Sequence, residues 1–388
     1  MTDEAVARVR AWLLDRGVNQ EEIDRAIEAD QLHLLVVDRS VVPEEPVYTG
    51  HEISVLAGMP ADDIERLWRA LGFPAVDATD RVFTERDLQA VTSTHGLLYL
   101  GLSNPDAMLQ LARVIGSSMA RIADAEVEAS PVLRGQMSSI DMAELFMLAS
   151  DAIVPDMARL LEYAWRRHLQ AALREAALRQ HRDGVSTMDV AIGFADMVGF
   201  TVLSQQLSEG ALAEVVGRFE ALAYDTISAS GGRVVKMIGD EVMFSVPDVA
   251  AAASIALGLS AAYAADEMLS EVRVGLACGP VLLRDGDCFG PAVNLASRIV
   301  NIAAPGSVIV SDEVHSVLEG DDQFAWKSIR PRYLKDIGRV PLWVLNRPGH
   351  EHDRRNPWWL LRDTVRERVE RAHAVGKEVL TAHSELDL

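Results

Sequence analysis

Residues 231–246 read GGRVVKMIGDEVMFSV, two apolar runs joined at Gly239-Asp240. A Gly-Asp step between such runs is turn chemistry, so the spacing predicts a tight β-hairpin with Asp240 at its tip. On either side lie MDVAIGFADM at 188–197, EVRVGLACG at 271–279 and GSVIVSDEV at 306–314, further Val- and Ile-rich runs separated by helical stretches. Strand-helix-strand-strand-helix-strand is the order of a ferredoxin-like βαββαβ unit, so the second half of the chain is expected to be α+β. One intervening stretch, Val249–Ala265, reads VAAAASIALGLSAAYAA without a charge. At the helical rise it spans about 25 Å, shorter than a bilayer's hydrocarbon core. Asp248 and Asp266 close it off, and it is expected to be a helix buried against the sheet rather than a membrane span.

The first half is helical in pattern, an all-α region. Ala5, Val6, Val9, Trp12 and Leu13 recur at helical spacing with Gly17 as a stop, and a second short helix is expected over Gln20–Glu28. Residues 48–91 suggest two helices about a turn at 58–60, with Ile53, Leu56, Ala57, Ile64, Leu67 and Leu71 facing inward. That helix-turn-helix, about 48–95, resembles the DNA-reading domain of MerR-type regulators. Its second helix opens with Asp62, Asp63 and Glu65, which would meet phosphates with negative charge, so a scaffold used for packing is expected instead. Ser130-Pro131 and Gly135 read as breaks. A long helix is then expected over 155–181, striped by Met157, Leu160, Leu161, Ala164, His168, Leu169, Ala172, Leu173 and Ala176. It would lead to a hinge at Asp183-Gly184. His168 and His181 are read as ordinary polar-face residues, a pH response being the alternative.

With 388 residues and 49% hydrophobic content, the chain can form two domains with sizeable cores. A net charge of −21 and a pI of about 4.9 oppose broad attraction to nucleic acid or anionic lipid, so neither partner is expected. Local sites and metals can still hold small anions. The two cysteines, Cys278 and Cys288, form no CxxC or Cys/His cluster, which suits a reducing cytoplasm. The opening MTDEAVARVR lacks the basic-then-apolar order of a secretory signal.

Asp196 ends the strand VAIGF within FADMVGFT, and the loop 197–201 opens a helix whose amides can face a phosphate. Taken singly, Asp196 and Asp240 are as readily turn or cap residues. Together, two strand-end carboxylates near glycines suit a site for two hard divalent cations.

The strings FADMVGFT, GGRVVKMIGDEVMF and DCFGPAVNLASRI resemble, in order and spacing, the three motif blocks of class III adenylyl and guanylyl cyclases. The likeness spans about 160 residues, and the three blocks together are specific. It implies that Asp196 and Asp240, with main-chain oxygen from Met197, hold two Mg2+ or Mn2+ ions. Phe200 and Thr201 would lie against the phosphates. Lys236 and Asp287 match the pair that reads adenine, the ammonium donating to a ring nitrogen and the carboxylate accepting from the exocyclic amine. Guanylyl enzymes of the family typically carry glutamate and cysteine there. Asn294 and Arg298, four apart on a helix, match the residues that orient the ribose and offset charge at the α-phosphate. Lys335 falls near the family's triphosphate-binding lysine. Glycine commonly follows that lysine, whereas here Asp336 follows and offsets its charge.

Read singly, Lys236 is a solvated strand residue, Asp287 a turn residue and Asn294/Arg298 a surface pair. The resemblance favours their roles in an adenylyl cyclase making cyclic AMP from ATP. Since the metal aspartates and the base-reading residues come from different protomers in this family, a homodimer is implied. A guanylyl cyclase and a weakly active nucleotide sensor are the alternatives. IGDEV also looks like the GGDEF turn of diguanylate cyclases, but FADMVGFT and VNLASR lie outside that pattern. The expected organisation is a helical regulatory domain over 1–183, with a linker helix at about 155–182, a catalytic domain over 184–348, and a helical tail over 349–388.

Overall fold

The computed structural model describes residues 3–77, 79–130, 137–180 and 188–349. The expected hinge at Asp183-Gly184, His181, the breaks at Pro131 and Gly135, and the C-terminal tail lie outside them. The chain divides into two compact units, Met1–Gly184 and Val185–Leu388.

The named elements of the first unit are all helices. Helices α1 (Asp3–Asp15), α2 (Gln20–Glu28) and α3 (Leu32–Val41) bury Val9, Leu13, Ile23 and Val36. Helices α4 (Gly50–Ala57), α5 (Ala61–Ala70) and α6 (Glu85–Tyr99) enclose a second core of Ile53, Ala57, Met59, Ile64, Phe83 and Val91. Capping boxes at Thr49/Glu52 and Thr84/Asp87 start α4 and α6, and Gly58 ends α4 at φ 69°. Leu56 departs from expectation: it is 57% exposed. The left-handed turn instead folds Met59 under the helices, where it is 4% exposed. On α5, Arg66 and Arg69 face Asp63 and Glu65 of the same helix at 3.7 and 3.5 Å. After α7 (Pro105–Ala129) comes the 42-residue α8 (Ser139–Gln180).

This last helix corrects the expected start at Pro155, which lies inside it. An interior proline removes one backbone hydrogen bond. The preceding turns are anchored by tertiary packing, with Ile140 and Ala143 buried in the α1–α3 core and Phe146 and Met147 against it. Beyond Pro155 the apolar stripe is open, Leu160, Leu169 and Leu173 being exposed.

In the second unit β1 (Met188–Met197) leads through α9 (Phe200–Ser204) and α10 (Glu209–Ala229) to β2 (Arg233–Ile238) and β3 (Glu241–Val246). Helix α11 (Val249–Ala265) connects these to β4 (Val272–Arg284) and its short partner β5 (Asp287–Phe289). Helix α12 (Pro291–Ile302), β6 (Val308–Ser311), α13 (Asp312–Leu318), β7 (Ala325–Leu334) and β8 (Gly338–Asn346) follow. The sheet runs β2-β3-β1-β4-β6-β8-β7. Its first four strands are antiparallel neighbours in the order of a βαββαβ unit, as expected. Strand β6 then joins β4 in parallel, and the β7–β8 hairpin extends the edge.

Helices α10 and α11 cover one face over Phe219, Phe244, Leu259 and Tyr263. The uncharged α11 is capped by the Asp248 side chain, which accepts from the Ala251 amide at 2.8 Å. Among the described residues no helix is long and apolar enough to cross a membrane. On the other face α12 lies over Ile192, Phe194, Met243 and Ala277 through Ala296, Ile299 and Val300.

The approach of α12 to β4 is close enough to require glycine. A Cβ on Gly275 would stand 2.4 Å from the Val300 nitrogen and 2.7 Å from the Ala296 carbonyl oxygen. Both obstacles are backbone, so the helix itself would have to move. Gly275→Ala is therefore expected to lower unfolding free energy by about 1–3 kcal/mol in urea melts; an unchanged midpoint would contradict this packing.

Candidate active site

Asp196 ends the buried central strand β1, opposite Glu241 on β3 and Arg273 on β4. Cross-strand partners share a face, so all three project together. Arg273 Nε donates to Asp196 Oδ2 at 2.5 Å. The Met197 amide donates to the Asp240 carbonyl oxygen at 3.0 Å, tying the hairpin tip to the end of β1. Gly239, at φ 64°, supplies the left-handed turn there.

Electrostatics at this end are unbalanced. Burial raises the Asp240 carboxyl above its ordinary range, and the charge on Asp196 adds to the shift. Burial pushes Glu241 further, to about 7, with Asp196 and Asp240 both contributing. Three carboxylates face one guanidinium, so the site is short of positive charge. Divalent cations fit that deficit. Among the described residues no group of three or more His, Cys, Asp or Glu side chains makes a ready metal cage. The donors would be Asp196, Asp240 and main chain, leaving positions for water and phosphate as Mg2+ commonly requires.

Lys236 on β2 pairs with Met243 on β3, two residues beyond Glu241, and so shares the face of the carboxylates and α12. Its Nζ donates to Asp287 Oδ2 at 2.5 Å. Burial opposes the Asp287 charge, but Lys236 and the Cys288 amide, which donates to Oδ1 at 2.8 Å, hold the carboxyl below its usual range. Arg233 donates to the Gly286 carbonyl at 3.3 Å and steadies the β4–β5 turn.

Helix α12 starts with Pro291 at its first turn and carries exposed Asn294 and half-buried Arg298 one turn apart. Arg298 Nη2 lies 3.7 Å from Asp336 Oδ2 in the β7–β8 turn, which also holds exposed Lys335. At the start of α9, Phe200 packs its ring against the core and Thr201 is exposed. The Met197 side chain is buried, so only its main chain is available.

The structure thus brings Asp196, Met197 and Asp240 together, closes Lys236 on Asp287, and links Arg298 to the turn of Lys335. Sequence reading missed Arg273 and Glu241. The signal for Arg273 was present in VRVGLACG at 272–279, one charge among apolar residues, but its meaning needs the register against β1.

The family model "Adenylate and Guanylate cyclase catalytic domain" matches residues 184–347, and "Adenylate cyclase regulatory domain" matches 4–176. An adenylate cyclase of Glutamicibacter nicotianae is 34% identical over 328 residues, covering 80% of this chain and 81% of that one. One from Streptomyces coelicolor is 34% identical over 294 residues, covering 75% and 74%. A pH-sensitive adenylate cyclase of Mycobacterium tuberculosis is 31% identical over 355 residues, covering 88% of each. The chain belongs to the class III adenylyl/guanylyl cyclase family. It is a nucleotidyl cyclase, a lyase whose family chemistry converts a purine nucleoside triphosphate to its cyclic nucleotide with two divalent metal ions.

The raised Glu241 carboxyl has a consequence for stability. Its unfolded form releases the proton near the ordinary value of 4.5, and the folded form holds it to about 7. Between those values the folded state binds more protons, so stability falls as pH rises. In chelator, the melting temperature should drop from pH 5 to pH 8 more steeply for the native chain than for Glu241→Gln, and Mn2+ should recover it at pH 8. Parallel pH profiles for the two proteins would refute the assignment.

Proposed function

We propose that the chain is an adenylyl cyclase, converting ATP to 3',5'-cyclic AMP and pyrophosphate in composite sites of a homodimer. The observation that carries the substrate choice is the Lys236–Asp287 pair. An ammonium and an ionised carboxylate side by side offer one donor and one acceptor, complementary to adenine's ring nitrogen and exocyclic amine. Guanine presents the opposite polarity at those positions. The adenylate cyclases among the relatives support the same choice.

On this reading Asp196, Asp240 and the Met197 main chain hold the two ions. Such ions lower the pKa of a ribose hydroxyl and neutralise phosphate charge. Arg273, on the neighbouring strand, holds Asp196 until metal competes for the carboxylate. Asn294 orients the ribose, and Arg298 offsets the charge that develops at the α-phosphate as the 3'-oxygen attacks. Lys335, Phe200 and Thr201 line the path of the polyphosphate. The partner protomer supplies the base-reading and α12 residues to each metal pair, as the family resemblance implies.

The same reading makes residues 1–183 a regulatory domain, residues 184–348 the catalytic domain and the cytoplasm its location. The match of residues 4–176 to a regulatory-domain model supports control from that half.

Incubating the full chain with Mn2+ and either ATP or GTP tests the reading. Cyclic AMP should be the main product, and Asp240→Ala should reduce its formation by at least about a hundredfold with the fold retained by circular dichroism. Cyclic GMP as the main product would overturn the substrate assignment, and undiminished turnover in the variant would overturn the metal site.

A further inference from the structure

The β7–β8 turn places a carboxylate beside Arg298. Asp336 follows Lys335 at the tip of a hairpin closed by the Ile337 amide on the Leu334 carbonyl at 3.2 Å. Its φ is 65°, in the left-handed region that glycine occupies without strain and that aspartate tolerates. From there Asp336 Oδ2 reaches 3.7 Å from Arg298 Nη2. The distance is beyond a good hydrogen bond but within range of a modest ionic attraction. Side-chain exposure is 71% for Asp336 and 43% for Arg298, so the pair stands where solvent and an anionic ligand can compete for it.

We propose that Asp336 is an electrostatic brake on nucleotide engagement, a positioning residue that acts through Arg298 and Lys335. The inference rests on the adenylyl cyclase reading, in which those two cations meet the phosphates. A carboxylate beside Arg298 lowers the potential that the guanidinium presents to a phosphate. It also repels the polyphosphate directly. For Arg298 to turn fully to the α-phosphate it must leave Asp336, so the pair sets the resting activity low and leaves room for activation. The interaction is exposed, and its strength therefore falls with salt.

Asp336→Asn isolates the charge, because asparagine also tolerates the left-handed turn and keeps the side chain's shape. Asp336→Glu keeps the charge. In steady-state assays of the full chain with Mn2+ and ATP at low ionic strength, the asparagine variant should show kcat/KM raised about two- to fivefold, the scale of one exposed charge pair. The gain should appear in kcat, through Arg298, as well as in KM, through Lys335, and shrink at high ionic strength, while the glutamate variant stays near the native value. A merely structural role would change the melting temperature and would not produce a salt-dependent gain. Unchanged or lower kcat/KM for Asp336→Asn at low salt would overturn the brake.

If the native chain forms no cyclic nucleotide, the activity reading fails separately. Calorimetric titration with Mn2+ and α,β-methylene-ATP then decides the brake: tighter binding by Asp336→Asn supports it, and equal or weaker binding overturns it.

Discussion

The second unit is organised around a cluster of negative charge that its own residues do not neutralise. Asp196, Asp240 and Glu241 meet where β1 and the β2–β3 hairpin end, with Arg273 opposing them. Burial of like charges disfavours the ionised form, which is why the Asp240 and Glu241 carboxyls rise. Such a cluster is destabilising, and it persists because the strand carrying it is held elsewhere. Strand β1 pairs along its length with β4 and is buried on both faces between α10–α11 and α12. Local electrostatic cost is thus offset by a two-sided core, and divalent cations would complete the charge balance.

The same sheet face explains how scattered sequence blocks come to lie together within one protomer. Period-two alternation puts Asp196, Glu241, Arg273 and Lys236 on the face that α12 covers. The close approach of α12 at Gly275 then fixes the height of Asn294 and Arg298 over that face. The opposite face is spent on packing, with Val, Ala, Phe and Leu against α10 and α11. The α12 face combines charge and packing, its charged residues lying alongside a core of Ile192, Phe194, Met243 and Ala277.

What was legible in the sequence was mostly local. The Gly239-Asp240 turn and the uncharged α11 between Asp248 and Asp266 depend on near neighbours, and both fall where the pattern placed them. Arg273 was not legible, since its significance comes from a partner 77 residues away. Strands β7 and β8 were missed because β7 is largely exposed and Pro331 falls at a register shift between Ile329 and Arg332, which hides the alternation. The start of α8 was misplaced at Pro155 because contacts with α1 and α3, invisible to local propensity, carry the helix through the proline. Asp196 and Asp240 were readable as a pair, while the charge deficit that makes the pair useful needed Glu241 and the register.

A chain with a net charge of −21 must still attract a polyanion. Its cationic candidates are not idle: Lys236 faces Asp287, Arg273 faces Asp196 and Arg298 faces Asp336. On the proposed reading, binding is an exchange of partners rather than a simple attraction. Metal takes Asp196 from Arg273, the base meets Lys236 and Asp287, and phosphate draws Arg298 from Asp336. Metal at Asp196 and phosphate at Arg298 each replace one ion pair with another, while the neutral base replaces one with hydrogen bonds, so none of the exchanges is a simple gain of attraction. On that reading metal and nucleotide would bind cooperatively.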